Sequence, residues 1–223
     1  VLNSSGSKLY DANTNALAGA ITLSNLVSGE ALNHSGTAST SSANVGSYTI
    51  SNLTGITIAD GSGGTASNYT LTGGTHQLTI NQRPLNATLA RQYDGTTNAA
   101  GSDLSSFDAL QGGETLTLNG SGTAANDNVA NGISVSSLGS LALVNGTGLA
   151  SNYSLNSAAI NITQRVLTSS GSKTYDANTN ALAADITLSN LVSGEALNHS
   201  GTASISSANA GSYTITNLAG ITI

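Results

Sequence analysis

The feature that most constrains this chain is an internal repeat. Residues 1–58 align without a gap on residues 166–223, and 50 of these 58 positions are identical. A more distant copy lies between them, because Tyr93-Asp94-Gly95 matches Tyr10-Asp11 and Tyr175-Asp176 in the flanking copies. The period of about 82 residues is longer than that of helical solenoids and suits one small domain per repeat.

Shared closing segments set the predicted domain boundaries. Residues 67–71 correspond to residues 151–155, and the first two copies end in Gln-Arg. We therefore predict repeat A over residues 1–83, repeat B over residues 84–165, and a shorter second copy of repeat A, called repeat A′, over residues 166–223. The two junctions contain no Gly/Ser linker, which favours a semi-rigid connection.

Alternating apolar residues indicate strands throughout the repeats. Leu78 and Ile80, for example, are separated by one polar residue, the pattern of a half-buried strand. Turn-forming clusters rich in Gly, Asn, Asp and Ser recur about every ten residues. The other pairs are Ile21 and Leu23, Tyr48 and Ile50, Ile56 and Ile58, Leu116 and Leu118, and Ile160 and Ile162.

These patterns predict an all-β fold with five to seven short strands per repeat. We expect tandem small antiparallel β domains, of the sandwich or β-grasp type, that form an extended rod. A β-helix is the alternative, because chains of this composition also wind into parallel coils.

Composition excludes several classes of function. Only 7% of the residues are charged and the net charge is −6, so five cations cannot form the basic stripe that a nucleic acid requires. No apolar run approaches the roughly 18 residues that span a bilayer. We therefore expect no nucleic acid partner and no membrane span in this segment. The absence of Cys removes disulfides and thiol chemistry.

Repeat B carries a set of motifs in a fixed order. They are Tyr93-Asp94-Gly95, Gly113-Glu114, Asn128-Val129, Ser151-Asn152-Tyr153 and Gln164-Arg165. In this order they resemble the YDG-type repeat of large bacterial secreted adhesins, the filamentous-haemagglutinin-like surface proteins. Repeats A and A′ follow the pattern more loosely.

The resemblance implies a secreted protein of a Gram-negative bacterium, in which such repeats form a long stalk on the cell surface. We therefore expect non-catalytic stalk or extender repeats of an extracellular adhesin or a biofilm-matrix fibre. Neighbouring repeats or copies of the same protein are the expected partners.

Two alternatives stay open for the function. In the first, the chain is a carbohydrate- or host-protein-binding module within an adhesin, and its partners are surface glycans or host proteins. In the second, it is a subunit of a strand-exchanged extracellular fibre, because an unpaired strand edge in repeat A′ could accept a strand from a neighbouring molecule.

We expect the motif residues to determine the fold. In a chain with seven Tyr, one Phe and no Trp, each Tyr supplies a large apolar area while its hydroxyl meets a polar partner. The Asp that follows can close an Asx turn onto backbone amides. Ala12 and Ala177 replace Gly95, which predicts that this position needs no positive φ in repeats A and A′. The signature residues are Tyr10, Asp11, Tyr69, Tyr93, Asp94, Gly95, Tyr153, Tyr175 and Asp176.

The histidines do not form a recurring catalytic set. His34 and His199 share a position that we align with Gly120 in repeat B, and His76 aligns with Ala158. Because no His recurs in all three repeats, we expect no enzymatic activity.

We expect no cofactor and no metal site. The acidic residues that could bind Ca²⁺ are Asp60, in a Gly-rich stretch, and Asp103 with Asp108. They match neither the EF-hand loop nor the calcium-binding β-roll, so we expect them to lie in solvated turns.

Overall fold

The computed structural model describes residues 1–223, which separate into two compact units. Unit 1 contains Val1–Ala90, Asn98–Ala125 and Gly132–Asn161. Unit 2 contains Arg91–Thr97, Asn126–Asn131 and Ile162–Ile223. The chain has no helix with the length and hydropathy needed to cross a membrane.

The all-β prediction is confirmed. Besides strands, the chain contains five short 3₁₀ turns, which are Ala18–Ala20, Ala66–Asn68, Gly101–Asp103, Ala150–Asn152 and Ala183–Asp185.

Seven strands form repeat A, and they are β1 (Asn3–Leu9), β2 (Asn15–Leu17), β3 (Ile21–Ser24), β4 (Leu32–Thr40), β5 (Gly46–Asn52), β6 (Ile56–Asp60) and β7 (His76–Asn81). They form one seven-stranded sheet. Six strands follow the order β2-β4-β5-β7-β1-β3, and the seventh, β6, also pairs with β4.

Eight strands form repeat B, and they are β8 (Arg83–Gln92), β9 (Asn98–Ala100), β10 (Leu104–Phe107), β11 (Leu116–Asn119), β12 (Ser121–Ala124), β13 (Ala130–Ser137), β14 (Ala142–Asn145) and β15 (Tyr153–Thr163). Six of them form a sheet in the order β10-β8-β15-β13-β12-β9, while β11 pairs with β14.

Six strands form repeat A′, and they are β16 (Thr168–Gly171), β17 (Asn180–Leu182), β18 (Ile186–Ser189), β19 (Ser200–Ile205), β20 (Ile215–Asn217) and β21 (Ile221–Thr222). They are the counterparts of β1 to β6. Strand β16 pairs with β18, and β19 pairs with β17, β20 and β21.

Every alternating pair named from the sequence lies in a strand, because burying one face of a sheet requires an apolar residue at every second position. In β7, for example, Leu78 and Ile80 are fully buried and the residues beside them are more exposed.

Strand β7 lies between β1 and β5 and pairs with both, so that it joins the two parts of the sheet of repeat A. It runs antiparallel to β5, with Leu78 opposite Tyr48, and parallel to β1, with His76 opposite Ser4. The parallel pair is an exception to the antiparallel pairing expected from the sequence. It is possible because almost the whole repeat connects β1 to β7, whereas a hairpin would impose an antiparallel pair. Antiparallel neighbours such as β4 and β5 exclude a β-helix.

The buried core of unit 1 draws on both repeats. In one buried cluster of unit 1, seven of the ten residues come from repeat A, and Leu85, Leu116 and Tyr153 come from repeat B. Repeat A′ has a smaller core built on Ala181, Ile186 and Ala203. The ten residues of this cluster of unit 1 are Tyr10, Ala16, Ile21, Ala38, Ile50, Leu78, Ile80, Leu85, Leu116 and Tyr153.

Candidate functional site

Each repeat carries a Tyr-Asp turn, defined as residues 10–15, 93–98 and 175–180. In repeat A the Oδ1 atom of Asp11 accepts a hydrogen bond from the backbone N–H of Asn13 at 3.2 Å. Asp94 and Asp176 accept the same bond from Thr96 and Asn178, at 3.0 and 3.2 Å. The Asp side chain therefore closes an Asx turn in all three repeats.

A cation two residues before the Tyr pairs with this Asp in every repeat. Lys8 and Lys173 lie 2.7 Å from Asp11 and Asp176, and Arg91 pairs with Asp94. The hydrogen bond from Lys173 holds the pKa of Asp176 below its usual value. Burial acts to raise the pKa of Asp94, but the bonds from Thr96 and Arg91 outweigh it and the pKa is lowered.

The residue after this Asp has a positive φ in all three repeats. The φ angle is 72° at Gly95, 59° at Ala12 and 61° at Ala177. The expectation that the two Ala residues avoid this conformation was wrong. The Asx turn and the ion pair fix the turn strongly enough to hold an L-residue in the left-handed region, at a cost of about 1 kcal/mol.

The tyrosine of the Tyr-Asp turn meets a glutamate of the next repeat. In unit 1 the Tyr10 hydroxyl donates to Glu114 Oε1 at 2.5 Å, and the Tyr153 hydroxyl donates to Glu114 Oε2 at 2.6 Å. The two rings pack edge to face with centroids 5.2 Å apart. We call Tyr10, Glu114 and Tyr153 the tyrosine–glutamate joint.

The joint is almost closed to solvent on its tyrosine side. Tyr10 and Tyr153 expose only 3% and 2% of their surface. Burial, followed by the hydrogen bond to Glu114, raises the pKa of each tyrosine to about 12. Both hydroxyls therefore stay protonated at neutral pH and donate to a charged acceptor, which gives short and strong hydrogen bonds.

Two further side chains hold the joint in place. Arg83, which begins β8, donates from Nε to the carbonyl of Tyr10 at 2.7 Å. Asn152 is buried, accepts from the N–H of Val45 at 2.9 Å and donates to Asn44 at 3.0 Å. The Asn-Tyr and Gln-Arg motifs of the sequence thus contribute to one contact between repeats A and B.

Unit 2 contains the same contact between the Tyr-Asp turn of repeat B and repeat A′. The Tyr93 hydroxyl donates to Glu195 Oε1 at 2.5 Å, and Arg165 donates to the carbonyl of Tyr93 at 3.3 Å. The hydrogen bond to Glu195 raises the pKa of Tyr93. A tyrosine of one repeat and a glutamate of the next therefore meet twice in this chain.

In repeat A the corresponding glutamate, Glu30, binds one tyrosine, and this tyrosine belongs to the same repeat. Tyr69 donates to Glu30, and its hydroxyl accepts from the N–H of Val27 at 3.1 Å. The hydrogen bond to Glu30 raises the pKa of Tyr69. Tyr175, the last signature tyrosine, is 64% exposed.

The glutamates are the functional residues whose role the sequence did not reveal, although Gly113-Glu114 is one of the motifs of repeat B. Glu30, Glu114 and Glu195 are the only three glutamates in the chain, and each follows a Gly at the same place in its repeat. This regular spacing was the available signal. Their partners could not be deduced from spacing, because Tyr10 and Glu114 are 104 residues apart.

The other residues singled out from the sequence lie apart from the joint. Asp60 accepts from the N–H of Ala66 at 2.7 Å, and Asp108 accepts from the N–H and the side chain of Asn86 at 2.9 and 2.7 Å. The bond from the Asn86 backbone lowers the pKa of Asp108. Asp103 ends the 3₁₀ turn Gly101–Asp103.

All three histidines bind nearby polar groups. The ring nitrogen Nε2 of His34 contacts the carbonyls of Ala18 and Ile21, at 3.0 and 2.9 Å. His199 makes the same contacts with Ala183 and Ile186, at 3.0 and 3.1 Å. His76 is buried between Ser4 and the carbonyl of Leu71, at 2.9 and 2.8 Å.

The alignment of His34 with Gly120 was wrong by two residues. Ala16 lies opposite Ala38 in repeat A, and its counterpart Ala99 lies opposite Gly122 in repeat B. This register places Leu118 at the histidine position. The error arose because the sequence Ser-Gly-Thr-Ala occurs in both repeats but shifted by two residues relative to the strand pairing.

Comparison with known proteins gives one family. No curated protein and no solved structure matches the chain. The model of the YDG domain matches residues 2–79, 74–162 and 158–223, which together cover nearly the whole chain. The chain therefore belongs to the YDG domain family.

Proposed function

We propose that this chain consists of structural repeats that extend an extracellular adhesin or matrix fibre of a bacterial surface. The observation that carries the proposal is the repeated contact between Tyr10 and Glu114, and between Tyr93 and Glu195. A stalk requires each repeat to hold the next one in a fixed orientation. A hydrogen bond from a tyrosine hydroxyl to a glutamate of the next repeat, supported by a backbone contact from Arg, meets this requirement.

The partners of the charged side chains support a non-catalytic role. The five cations occupy two recurring positions: Lys8, Arg91 and Lys173 pair with the Asp of a Tyr-Asp turn, and Arg83 and Arg165 bind the carbonyl of its Tyr. The three glutamates all accept from tyrosines. Most of the charged side chains in this chain are therefore engaged in turns and contacts between repeats.

A change in repeat number tests this proposal. We would insert a second copy of residues 1–165 before the 223-residue chain and measure the maximum dimension of both proteins by small-angle X-ray scattering. For spacer repeats we expect the dimension to grow by the same increment for each added repeat, of the order of 30 Å for strands of this length. An unchanged maximum dimension would contradict a spacer function.

Binding assays separate the spacer from a ligand-binding module. A spacer gives no signal from the 223-residue chain on glycan arrays or on host-cell surfaces. A specific and saturable signal would instead support the carbohydrate- or host-protein-binding alternative. The matched control is a Tyr10→Phe, Tyr93→Phe variant, which weakens the contacts between repeats but leaves most of the exposed surface unchanged.

A further inference from the structure

In each of the two units, the Tyr-Asp turn of one repeat lies against a turn that ends in the glutamate of the next repeat. We call this second turn the Gly-Glu turn and define it as residues 27–30, 111–114 and 192–195. In each repeat the N–H of the Glu donates to the carbonyl three residues earlier, at 3.0, 2.9 and 3.0 Å. The first residues of the three turns are therefore structural counterparts, and they are Val27, Gln111 and Val192.

In unit 2 the residue after Tyr-Asp faces the valine of this turn. A Cβ atom added to Gly95 would lie 2.8 Å from Cγ1 of Val192. Packed carbon atoms are separated by about 3.5–4.0 Å, so a methyl group at residue 95 would overlap with the valine. Val192 is β-branched and stiff at χ1, so it does not move aside easily. The Gly-Glu turn of repeat A′ therefore fits Gly, and no larger residue, at this position of the preceding repeat.

In unit 1 the same position has room for a methyl group. Ala12 packs against the core of unit 1, and a Cβ atom added to Gly112 would lie 3.4 Å from its Cβ. Gln111, the counterpart of Val192, turns its side chain back and donates from Nε2 to the carbonyl of Ala109 at 3.0 Å. The Gly-Glu turn of repeat B therefore leaves the space that Ala12 occupies.

The two kinds of Gly-Glu turn also differ in their backbone. Gly112 and Gly113 both have a positive φ, 58° and 72°, as at the central positions of a type I′ turn. In repeat A′ the corresponding residues are Ser193 and Gly194, and only the Gly has a positive φ, 90°, as in a type II turn. A side chain at residue 112 would be strained, because L-residues rarely adopt this conformation. Repeat B thus presents a turn without side chains at its centre to Ala12.

We propose that the residue after Tyr-Asp selects the kind of repeat that can follow. Ala12 fits a repeat whose Gly-Glu turn begins with Gln-Gly, and Gly95 fits one whose turn begins with Val-Ser. Repeat A carries both Ala12 and Val27, so in a direct succession of two A repeats the methyl group of one would meet the valine of the next. The contact therefore favours the alternating order A, B, A′. This inference rests on the proposed function, because it concerns the contact that orients successive repeats.

Substitutions in unit 2 of the whole 223-residue chain test the selection. The pKa of Tyr93 reports on the contact, because the hydrogen bond to Glu195 raises it above the ordinary value of 10.0. We would titrate the tyrosines by NMR in the unchanged chain, in Gly95→Ala, in Val192→Ala and in the double variant. We expect Gly95→Ala to lose the raised pKa of Tyr93. The other three proteins should keep it, because Ala at residue 192 has no Cγ1 atom.

The outcomes separate this inference from the proposed function. A raised pKa of Tyr93 in all four proteins, or an equal loss in Gly95→Ala and in the double variant, would overturn the selection and leave the contact between repeats intact. An ordinary pKa of Tyr93 in the unchanged chain would contradict the contact, and with it both proposals. Tyr10 in unit 1 is the internal control, and its pKa should stay at about 12 in all four proteins.

The reciprocal change in unit 1 tests the selection independently. Gln111→Val with Gly112→Ser gives repeat B the Gly-Glu turn of repeat A, so that a valine faces Ala12. We expect the pKa of Tyr10 to fall from about 12 towards 10.0, because its burial and its hydrogen bond to Glu114 both depend on this contact. Adding Ala12→Gly should restore the raised pKa. If it restores nothing, residue 12 does not select the following repeat, and the proposal is overturned.

Discussion

Repeats A and A′ have the same residue at 50 of 58 positions, but the same side chains have different surroundings in the two copies. Tyr10 is buried, bound to Glu114 and held by Arg83, whereas Tyr175 is 64% exposed. Local features do not differ: both Tyr-Asp turns close on Asp, pair with Lys and place an Ala at positive φ. The turn is therefore encoded locally, while burial of the tyrosine depends on β7 and on repeat B.

The two copies should differ most in how much stability they lose when a core side chain is truncated to Ala. Replacing the buried Ile50 by Ala should destabilise repeat A by about 2–5 kcal/mol. The same change at Ile215 should cost about 1 kcal/mol, because that side chain is half-exposed. Segment-resolved hydrogen exchange measures both, since the eight differing positions distinguish many peptides of the two copies. Equal costs would contradict the role assigned to β7.

The next difference concerns the tyrosine hydroxyl. Tyr10→Phe should destabilise repeat A by about 1.5–3 kcal/mol, because it removes a hydrogen bond to a charged acceptor. Tyr175→Phe should change stability by less than about 0.5 kcal/mol, because the ring is exposed. Local hydrogen exchange of β1 and β16 provides the measurement. A large effect at Tyr175 would show that this tyrosine has a partner in solution.

Alkaline pH should weaken the joint. Because the folded pKa of Tyr10 and of Tyr153 is raised to about 12, above the ordinary value of 10.0, the joint favours the neutral hydroxyl. The stabilisation is fully present below about pH 10 and is lost as the pH rises through 12. Urea unfolding between pH 8 and 12 measures the loss. In a Tyr10→Phe, Tyr153→Phe variant the loss of stability between pH 10 and 12 should disappear. If stability still fell equally steeply with pH, the loss would not come from these two hydroxyls.

The smallest expected effect is at the positive-φ position. Ala177→Gly should stabilise repeat A′ by up to about 1 kcal/mol, because Gly adopts φ near 61° without a steric penalty. Ala12→Gly should gain less, because Ala12 also packs against the core of unit 1. Thermal unfolding of the two variants compares them. A loss of stability at Ala177 would mean that the entropy of the unfolded Gly chain outweighs the strain.

The sequence predicts the parts of this fold that depend on neighbouring residues. Alternation placed Leu78 and Ile80 in a strand, because the period of a strand is itself a local property. The parallel pairing of β7 with β1 could not be predicted, because its partners are about 70 residues apart and no turn fixes their register. The φ of Ala12 was predicted wrongly because the Lys8–Asp11 ion pair, which stabilises the turn, was not recognised in the sequence.

The joint itself was only partly predictable. The recurrence of Tyr10 and Tyr153 in an aromatic-poor chain marked them as residues of the core. The role of Glu114 depends on two tyrosines that come from different repeats, so no pattern within one repeat shows it. Comparing the positions of all three glutamates across repeats would have identified the site as a contact candidate.

A double-mutant cycle on Tyr10 and Glu114 tests most directly whether this contact joins successive repeats. The measurement is the free energy of unfolding of unit 1 in the chain with Tyr10→Phe, with Glu114→Ala, and with both changes, obtained from local hydrogen exchange. We expect a coupling energy of about 1–3 kcal/mol between the two residues, in line with a hydrogen bond to a charged group. Additive effects, with a coupling energy near zero, would contradict the account.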